Sequence, residues 1–369
     1  MDLSTTVATT VAESARRTRL PGPDVVRAVA LIGVVIMNYH GYLIIAGDGD
    51  RGAGVAADVF DPWTGPLATR FAATFVLTAG VGVTLLTGSA TTSAAIKARR
   101  WTLARRGLVL FVAGWVIDEH WRGTILPYYG ALFMLSSLLF RLRSAFLLAI
   151  GAVAAVAAAL VAWWSLEARL DGRDTAWLLG ADRWTPQGLF FDTFVNGTHP
   201  LLPWLAFFCA GMVLGRGLRT GWWRPACFGI GLTLFGLATM VSDSLRTGER
   251  AVVLASNDPF DRGLLYVASA LGTALIAFAG ISWLADRFVG SWPVEALRHA
   301  GAMTLSLYLL HIVVFIAAVG WFDLVEPAGL DAALTFAGGF WVVAMAAAWW
   351  YHRRFGIGPA EYVYRWLGG

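Results

Sequence analysis

The chain has 369 residues, of which 57% are hydrophobic and 14% are charged, and its mean hydropathy is +0.63. Soluble domains carry about 25% charged residues, so this composition excludes an ordinary soluble protein and indicates a lipid environment. The net charge of +4 would suit nucleic acid, but the basic residues lie between apolar segments, and we expect no nucleic-acid partner. The two cysteines, Cys209 and Cys227, lie in apolar runs, which argues against disulfides and thiolate metal ligands. We predict no metal site.

The pattern of apolar runs predicts the fold class. A helix that crosses about 30 Å of hydrocarbon needs about 17–25 residues. Ten runs approach this length, of which the third, fourth and sixth are the shortest: Val25–Ala46, Pro66–Gly88, Trp101–Ile117, Thr124–Phe140, Ala145–Ser165, Leu201–Gly217, Pro225–Val241, Gly263–Ala285, Ala300–Gly320 and Ala332–Tyr351. We therefore predict an all-α, polytopic bundle of about ten transmembrane helices. Residues 1–20 form a polar tail that we expect to be disordered, and residues 21–369 form a single transmembrane domain.

The distribution of charge predicts the orientation of the bundle. With the N-terminus in the cytoplasm, 19 of the 28 Lys and Arg residues fall on cytoplasmic segments, whereas 18 of the 24 acidic residues fall outside. The positive-inside rule favours this arrangement, which places both termini in the cytoplasm. We call the two faces inner and outer accordingly. The longest outer loop has about 34 residues, too few for a separate soluble domain.

The first helix carries polar side chains at both ends. Arg27 lies at its inner start, and Asn38 and His40 lie in its outer third, roughly 20 Å away at 1.5 Å per residue. A charged or polar group at membrane depth is costly, so each needs a reason. Arg27 offers a cation for a phosphate and His40 a proton-transfer group. The alternative is that Arg27 anchors the helix at the interface while Asn38 and His40 join helices together.

The ninth run and the second loop supply further candidates. Thr304, Tyr308 and His311 follow the spacing i, i+4, i+7, so they share one face of a helix. His311 lies near the predicted midplane and should point into the bundle, as a site residue or as a helix-joining hydrogen-bond group. On the inner side, five cations between the second and third runs suit nucleotide phosphates or anionic lipid headgroups equally well: Lys97, Arg99, Arg100, Arg105 and Arg106.

Other patterns exclude whole enzyme classes. No phosphate-binding loop, HExxH zinc motif or nucleophile elbow occurs where it would count, which argues against an ATPase, a zinc protease and a serine hydrolase. On the outer side, Asp118-Glu119-His120 is most simply a solvated loop, and the alternative is that His120, beside two carboxylates, is a general base. The Gly211-xxx-Gly215 pair predicts a packing seam between helices.

Several segments together resemble the transmembrane acyltransferase superfamily. Arg27, ten residues and then Asn38-Tyr39 resemble the opening helix of heparan-α-glucosaminide N-acetyltransferase-like proteins. The segment from His199 to Arg216, HPLLPWLAFFCAGMVLGR, resembles their Pro-Trp helix. The segments FAATFVLTAGVGVTLL, GAMTLSLYLLH and FGIGPAEYVYRWL resemble the YeiB-type branch. These matches, in this order, cover nearly the whole chain.

The resemblance implies an activity and roles for individual residues. It implies a bundle of ten or eleven helices that moves an acyl group, with acetyl the leading candidate, from cytosolic acyl-CoA to an extracytoplasmic glycan or lipid-linked sugar. Arg27, with Arg105 or Arg106, would hold the CoA phosphates. His40 would accept the acceptor's proton, oriented by Asn38, and Tyr308 and His311 would line the acyl channel.

The catalytic histidine departs from the family pattern. The N-acetyltransferase-like members place theirs about eleven residues after the Asn, where this chain has Gly49, and acyltransferase family three places it at the position of Asn38. His40 is the nearest substitute and His311 the second. Two other interpretations stay open: a transporter or flippase of a small amphiphile, and a catalytically silent membrane scaffold. We expect an integral protein of a bacterial cytoplasmic membrane that contacts membrane lipid, and a homodimer is compatible with the sequence.

Overall fold

The structure is a computed structural model that describes residues 21–47, 49–245 and 254–369. The tail expected to be disordered, residues 1–20, lies outside the described residues. In chain order the helices are α1 Gly22–Ala46, α2 Val55–Val59, α3 Arg70–Thr87, α4 Ser93–Ile117, α5 Leu126–Leu139, α6 Ser144–Leu170, α7 Ala176–Leu179, α8 Pro186–Phe191, α9 Leu201–Gly217, α10 Trp223–Leu245, α11 Leu264–Arg287, α12 Trp292–Ala302, α13 Thr304–Phe315, α14 Leu330–Phe355 and α15 Pro359–Gly368. Short π-helical turns follow α8, at Asp192–Asn196, and α13, at Ile316–Trp321.

Local sequence explains where the main helices begin and end. Pro23 lies in the first turn of α1, where its missing N–H costs nothing, and Asp24 in the same turn complements the helix dipole. Thr92 caps α4 by accepting a hydrogen bond from the N–H of Ala95 at 3.2 Å. α14 ends at Gly356, whose φ of 77° is the left-handed conformation that glycine adopts without strain.

The prediction of an all-α, polytopic bundle is confirmed. Within the described ranges, seven helices are long and apolar enough to cross a membrane: Gly22–Ala46, Arg70–Thr87, Ser144–Leu170, Trp223–Leu245, Leu264–Arg287, Thr304–Trp321 and Leu330–Phe355. An eighth span results if the pair Pro186–Asn196 and Leu201–Gly217, bent by 54°, counts as one. The chain is thus an integral membrane protein.

All ten predicted spans overlap a helix, but two fall short of a simple crossing. α4 carries Arg105 and Arg106 near its middle, and α5 has 14 residues, roughly 21 Å of helix against about 30 Å of hydrocarbon. The count of ten spans and the cytoplasmic position of both termini therefore stay predictions.

Helix α1 is the centre of the bundle and packs against α3, α11, α12, α13 and α14. The predicted Gly211–Gly215 seam is confirmed and lies between α9 and α3. A Cβ atom on Gly211 would collide with the carbonyl oxygen of Leu77, so the two backbones are in contact there. Large apolar side chains on α6, α10 and α14 are exposed, as lipid-facing surfaces require, for example Val153, Met240 and Val342.

Candidate functional site

A cavity of about 160 Å³ opens on the outer side of the bundle beside the last turns of α1. Asn38, Gly41, Tyr42 and Ile45 line it from α1, at the i, i+3, i+4, i+7 spacing that places them on one face. The other walls are mainly aromatic. They include Trp63 and Phe71, Phe260, and the imidazole of His199. A concave, largely apolar site with a few convergent polar groups is typical of a small-molecule binding site.

The floor of the cavity is formed by Tyr308, which is buried. Its hydroxyl lies 2.8 Å from the Thr124 hydroxyl and accepts a hydrogen bond from the N–H of Ile125 at 3.3 Å. Asp118 holds this turn by accepting hydrogen bonds from the N–H groups of Gly123, at 2.8 Å, and Thr124, at 3.2 Å. The cavity therefore runs from an exposed rim to a fixed, buried floor.

Asn38 and His311, which the sequence places 273 residues apart, meet beside the cavity. The Asn38 Nδ2 atom lies 3.2 Å from His311 Nε2. His311 Nδ1 donates to the carbonyl oxygen of Tyr308, so in a neutral ring Nε2 carries the lone pair that accepts from Asn38. Tyr39 fixes the same helix by donating its hydroxyl hydrogen to the His311 carbonyl at 3.0 Å. The amide of Asn38 is thus held in one orientation at the cavity wall.

His40 is buried and lies away from the cavity lining. Its Nδ1 atom lies 2.8 Å from the carbonyl oxygen of Phe60 and its Nε2 atom 3.4 Å from that of Arg51. Both partners belong to the segment between α1 and α3, and a carbonyl oxygen can only accept a hydrogen bond. This geometry is that of a residue that holds the outer segment in place. The catalytic role expected for His40 stays a prediction, and these contacts do not favour it.

The same outer segment is held at a second point by Asp61. One carboxylate oxygen accepts hydrogen bonds from the N–H groups of Trp63, at 2.9 Å, and Thr64, at 2.8 Å, while the other lies 2.6 Å from the Arg51 guanidinium. Burial opposes ionisation of Asp61, but the hydrogen bonds from Thr64 and Trp63 and the charge of Arg51 outweigh it and lower the pKa of this carboxyl. Asp61 thereby fixes Trp63 at the cavity wall.

At the inner end of α1, Arg27 is in contact with α12. Its guanidinium donates to the carbonyl oxygen of Gly301 at 3.3 Å and lies 3.6 Å from the Asp24 carboxylate. The side chain is 27% exposed, so part of the guanidinium is available to a ligand. Arg27 also interacts electrostatically with Tyr129 of α5, whose buried hydroxyl has no hydrogen-bond partner in the described part of the chain.

The two arginines expected to assist Arg27 are on α4 and have other neighbours. Arg106 donates to the carbonyl oxygen of Gly369 at 3.2 Å, and its guanidinium lies 5.5 Å from the centre of the Tyr364 ring. Arg105 is exposed. The structure thus brings Asn38, Tyr308 and His311 together. It places Arg27 on the same helix as Asn38, roughly 17 Å away, and holds Arg106 against the last helix.

The turn 197–200 is a part of the site for which the sequence alone predicts no role. Arg262, from the segment before α11, donates to the carbonyl oxygens of Asn196, at 2.8 Å, and Gly197, at 2.9 Å. The N–H of Thr198 donates to the Tyr128 hydroxyl at 3.1 Å. These contacts present His199 to the cavity. The chain offers little local signal for them, because they join segments about 65–70 residues apart.

Two protein-family models match the chain, one over its N-terminal part and one over its C-terminal part. A family model described as "Heparan-alpha-glucosaminide N-acetyltransferase, catalytic" matches residues 19–247, which include α1 to α10 and the residues Arg27, Asn38 and His199. A second model, described as "Protein of unknown function (DUF418)", matches residues 213–368, which include Tyr308 and His311. No curated protein matches the chain. The first match covers more than half of the sequence and confirms the resemblance seen in the sequence. The chain therefore belongs to the heparan-α-glucosaminide N-acetyltransferase-like family of membrane acyltransferases, with a YeiB-type C-terminal part.

Proposed function

We propose that the protein transfers an acetyl group from cytosolic acetyl-CoA to an extracytoplasmic glycan or lipid-linked sugar in the cytoplasmic membrane of a bacterium. The observation that carries this proposal is the polar face of α1, with Arg27 at its inner end and Asn38 at the wall of the outer cavity. Eleven residues separate the two, roughly 17 Å of helix. This distance suits an extended acetyl-CoA, whose phosphates and reactive thioester lie at opposite ends of the molecule.

Each side chain has a role that follows from its contacts. Arg27, with Arg105 or Arg106, supplies cations for the CoA phosphates at the inner side. The Asn38 amide, held by His311, donates a hydrogen bond to the oxyanion that develops on the thioester carbonyl. Tyr308 forms the floor on which the acyl group rests. We assign His40 to holding the outer segment, because catalysis would require its contacts with Phe60 and Arg51 to break.

Binding of the donor is the first test. Isothermal calorimetry of the purified protein in detergent, titrated with acetyl-CoA, should show binding that Arg27→Ala weakens at least about tenfold, since a hydrogen-bonded charge pair is worth about 1.5–3 kcal/mol. Arg354→Ala is the matched control, because Arg354 is an exposed inner-face cation that stacks on Phe355. Absence of acetyl-CoA binding to folded wild-type protein would refute the proposal.

Transfer is the second test. The family name refers to a glucosaminide acceptor, so glucosamine is the first amine probe and glucose the first hydroxyl probe, with release of free CoA as the readout. Loss of one oxyanion donor costs about 100–1,000-fold in rate, and Asn38→Ala should lose transfer by that factor while it retains acetyl-CoA binding. An Asn38→Ala variant as active as the wild type would exclude this role for the amide.

A further inference from the structure

The outer cavity contains one side chain that can accept a proton and is not already engaged. Among the described residues that line it there is no carboxylate, and His199 is the single histidine. Asn38 and Tyr308 also line it, but an amide is not a proton acceptor at neutral pH and the Tyr308 hydroxyl is already hydrogen-bonded. The chemistry of acyl transfer to a hydroxyl or amine nevertheless requires a base.

The ring of His199 is free in a way that the rings of His40 and His311 are not. Neither of its nitrogens has a hydrogen-bond partner in the described part of the chain, and Nδ1 is buried in that state. Each nitrogen of His40 faces a backbone carbonyl oxygen, and each nitrogen of His311 has a hydrogen-bond partner. An unpaired buried nitrogen costs about 1–3 kcal/mol, so its retention calls for an explanation beyond packing.

The protein holds the backbone around His199 firmly. Arg262 binds the carbonyl oxygens of the two residues at the start of the turn, and the Tyr128 hydroxyl accepts from the N–H of Thr198. The imidazole packs edge-on against Trp204, with ring centres 4.6 Å apart. A Cβ atom on Gly197 would collide with the Tyr128 hydroxyl, so this position needs glycine for the turn to close. The fixed backbone of the turn and the contact with Trp204 therefore orient the ring, while its two nitrogens make no hydrogen bond with the described part of the chain.

We propose that His199, on the turn before α9, is the general base of this protein, in place of the histidine that the family resemblance implies at the position of Gly49. This inference rests on the proposed acetyltransferase function. Gly49 is exposed, has a φ of 89° and has no atom near its missing side chain. The proton acceptor thus enters the outer cavity from the turn before α9, whereas Asn38 enters it from α1.

The reaction balances with one proton acceptor. A nitrogen of the neutral His199 ring takes the proton of an acceptor hydroxyl as its oxygen attacks the thioester carbonyl. An acceptor amine attacks with its own lone pair and gives a proton to the same nitrogen as the C–N bond forms. The C–S bond of the thioester then breaks, and the CoA sulfur takes the proton from the His199 imidazolium. Ester or amide and free CoA are the products, and the ring returns to its neutral form. No oxidant or further reactant is needed, and the Asn38 amide stabilises the oxyanion in between.

The first experiment asks whether His199 is free and reachable. Treatment of the protein in detergent with diethyl pyrocarbonate, followed by mass-spectrometric mapping, should modify His199 and the exposed His120 but leave His40 and His311 intact. Diethyl pyrocarbonate is smaller than a sugar acceptor, so a histidine that a sugar can reach should also be open to this reagent. An unmodified His199 beside a modified His120 would therefore overturn the assignment.

The second experiment uses acetyl-CoA and glucosamine with His199→Ala, His199→Gln and the control His120→Ala. Both His199 variants should bind acetyl-CoA as the wild type does, which shows that they are folded, yet transfer at least about 100-fold more slowly. Added imidazole should restore part of the rate to His199→Ala, where the side chain's space is vacant, and not to His199→Gln. His120→Ala should be unaffected.

The outcomes separate the two proposals. Unchanged transfer in His199→Ala would overturn the role of His199 and leave the acetyltransferase proposal intact. A wild-type protein that neither binds acetyl-CoA nor releases CoA would overturn both. Loss of transfer with retained binding and imidazole rescue would support both, because a structural role alone gives no rescue by the free base.

Discussion

The carboxylate of Glu361 should stabilise the helix that carries Tyr308 and His311. Glu361 lies on α15, is 9% exposed, and reaches the first turn of α13. One carboxylate oxygen accepts hydrogen bonds from the N–H groups of Leu305, at 2.6 Å, and Ser306, at 3.1 Å, and the other accepts from the Ser306 hydroxyl. Because α13 starts at Thr304, these are N–H groups that no carbonyl of the helix can satisfy.

The expected cost follows from these contacts. Glu361→Ala leaves two half-buried N–H groups and one hydroxyl without the acceptor they now have, and it removes a negative charge from a helix N-terminus. Caps contribute about 0.5–2 kcal/mol, charge-assisted hydrogen bonds about 1.5–3 kcal/mol, and the two overlap here. We expect Glu361→Ala to lose about 2–4 kcal/mol. Glu361→Gln keeps an acceptor for the N–H groups and a donor for Ser306, and should lose about 1 kcal/mol.

Unfolding in mixed micelles with increasing dodecyl sulfate, followed by the fluorescence of the 18 Trp residues, gives the free energies to compare. Glu295→Gln is the control, since Glu295 pairs with Arg298 one turn away at 2.6 Å in a partly exposed position and should cost about 0.5 kcal/mol or less. If Glu361→Ala were within 0.5 kcal/mol of the wild type on this scale, the cap would contribute nothing and the reasoning would be wrong.

Two further predictions test the frame of the site. Gly211→Ala should push α9 away from α3, because its Cβ atom collides with the Leu77 backbone, and lower the free energy of unfolding by about 1–3 kcal/mol. Gel filtration should then show a lower yield of monodisperse protein. Gly236→Ala, where a Cβ meets open space, should be neutral or slightly stabilising. The pKa of Asp61 is lower in the folded than in the unfolded protein. Its ionised carboxylate therefore stabilises the fold above about pH 4, and this stabilisation is lost as the pH falls through the pKa of the folded state. Unfolding measured from pH 7 to pH 3 should therefore show a smaller acid loss in Asp61→Asn than in the wild type, and equal losses would contradict the assignment.

The fold was accessible from sequence because the bilayer imposes a length and an apolarity that local runs record directly. The predicted span Leu201–Gly217 coincides with α9, and the last predicted span lies within α14. The two runs that fall short of a simple crossing do so for different reasons: α4 is long but carries Arg105 and Arg106 near its middle, whereas α5 is short. α5 needs only 14 residues because the chain around Thr124 lies deep in the bundle, where it contacts Tyr308. A chain segment that lies this deep in the bundle is a tertiary feature that hydropathy does not record.

The candidate site was predictable only in part. Asn38 could be found because family likeness fixed its place on α1, and Tyr308 and His311 because the spacing i, i+3 put them on one face. Their contact with Asn38 joins the two ends of the chain and has no local signature. The segment that begins at His199 resembles a family helix, but the geometry of the turn that presents it depends on Arg262 from yet another segment and has no local signature.

Comparison of His40, His199 and His311 shows why residue type and position along a helix are insufficient to assign a base. His40 was the nearest substitute for the family's histidine in sequence, yet both its nitrogens are directed at backbone carbonyls, and it acts as a link between α1 and the outer segment. His311 has one nitrogen bound to its own helix and the other to Asn38. His199 has the least suggestive sequence context and the most available ring. A base must have a lone pair directed at the substrate, so the hydrogen bonds that a histidine already makes decide its role, and those bonds are set by segments distant in sequence.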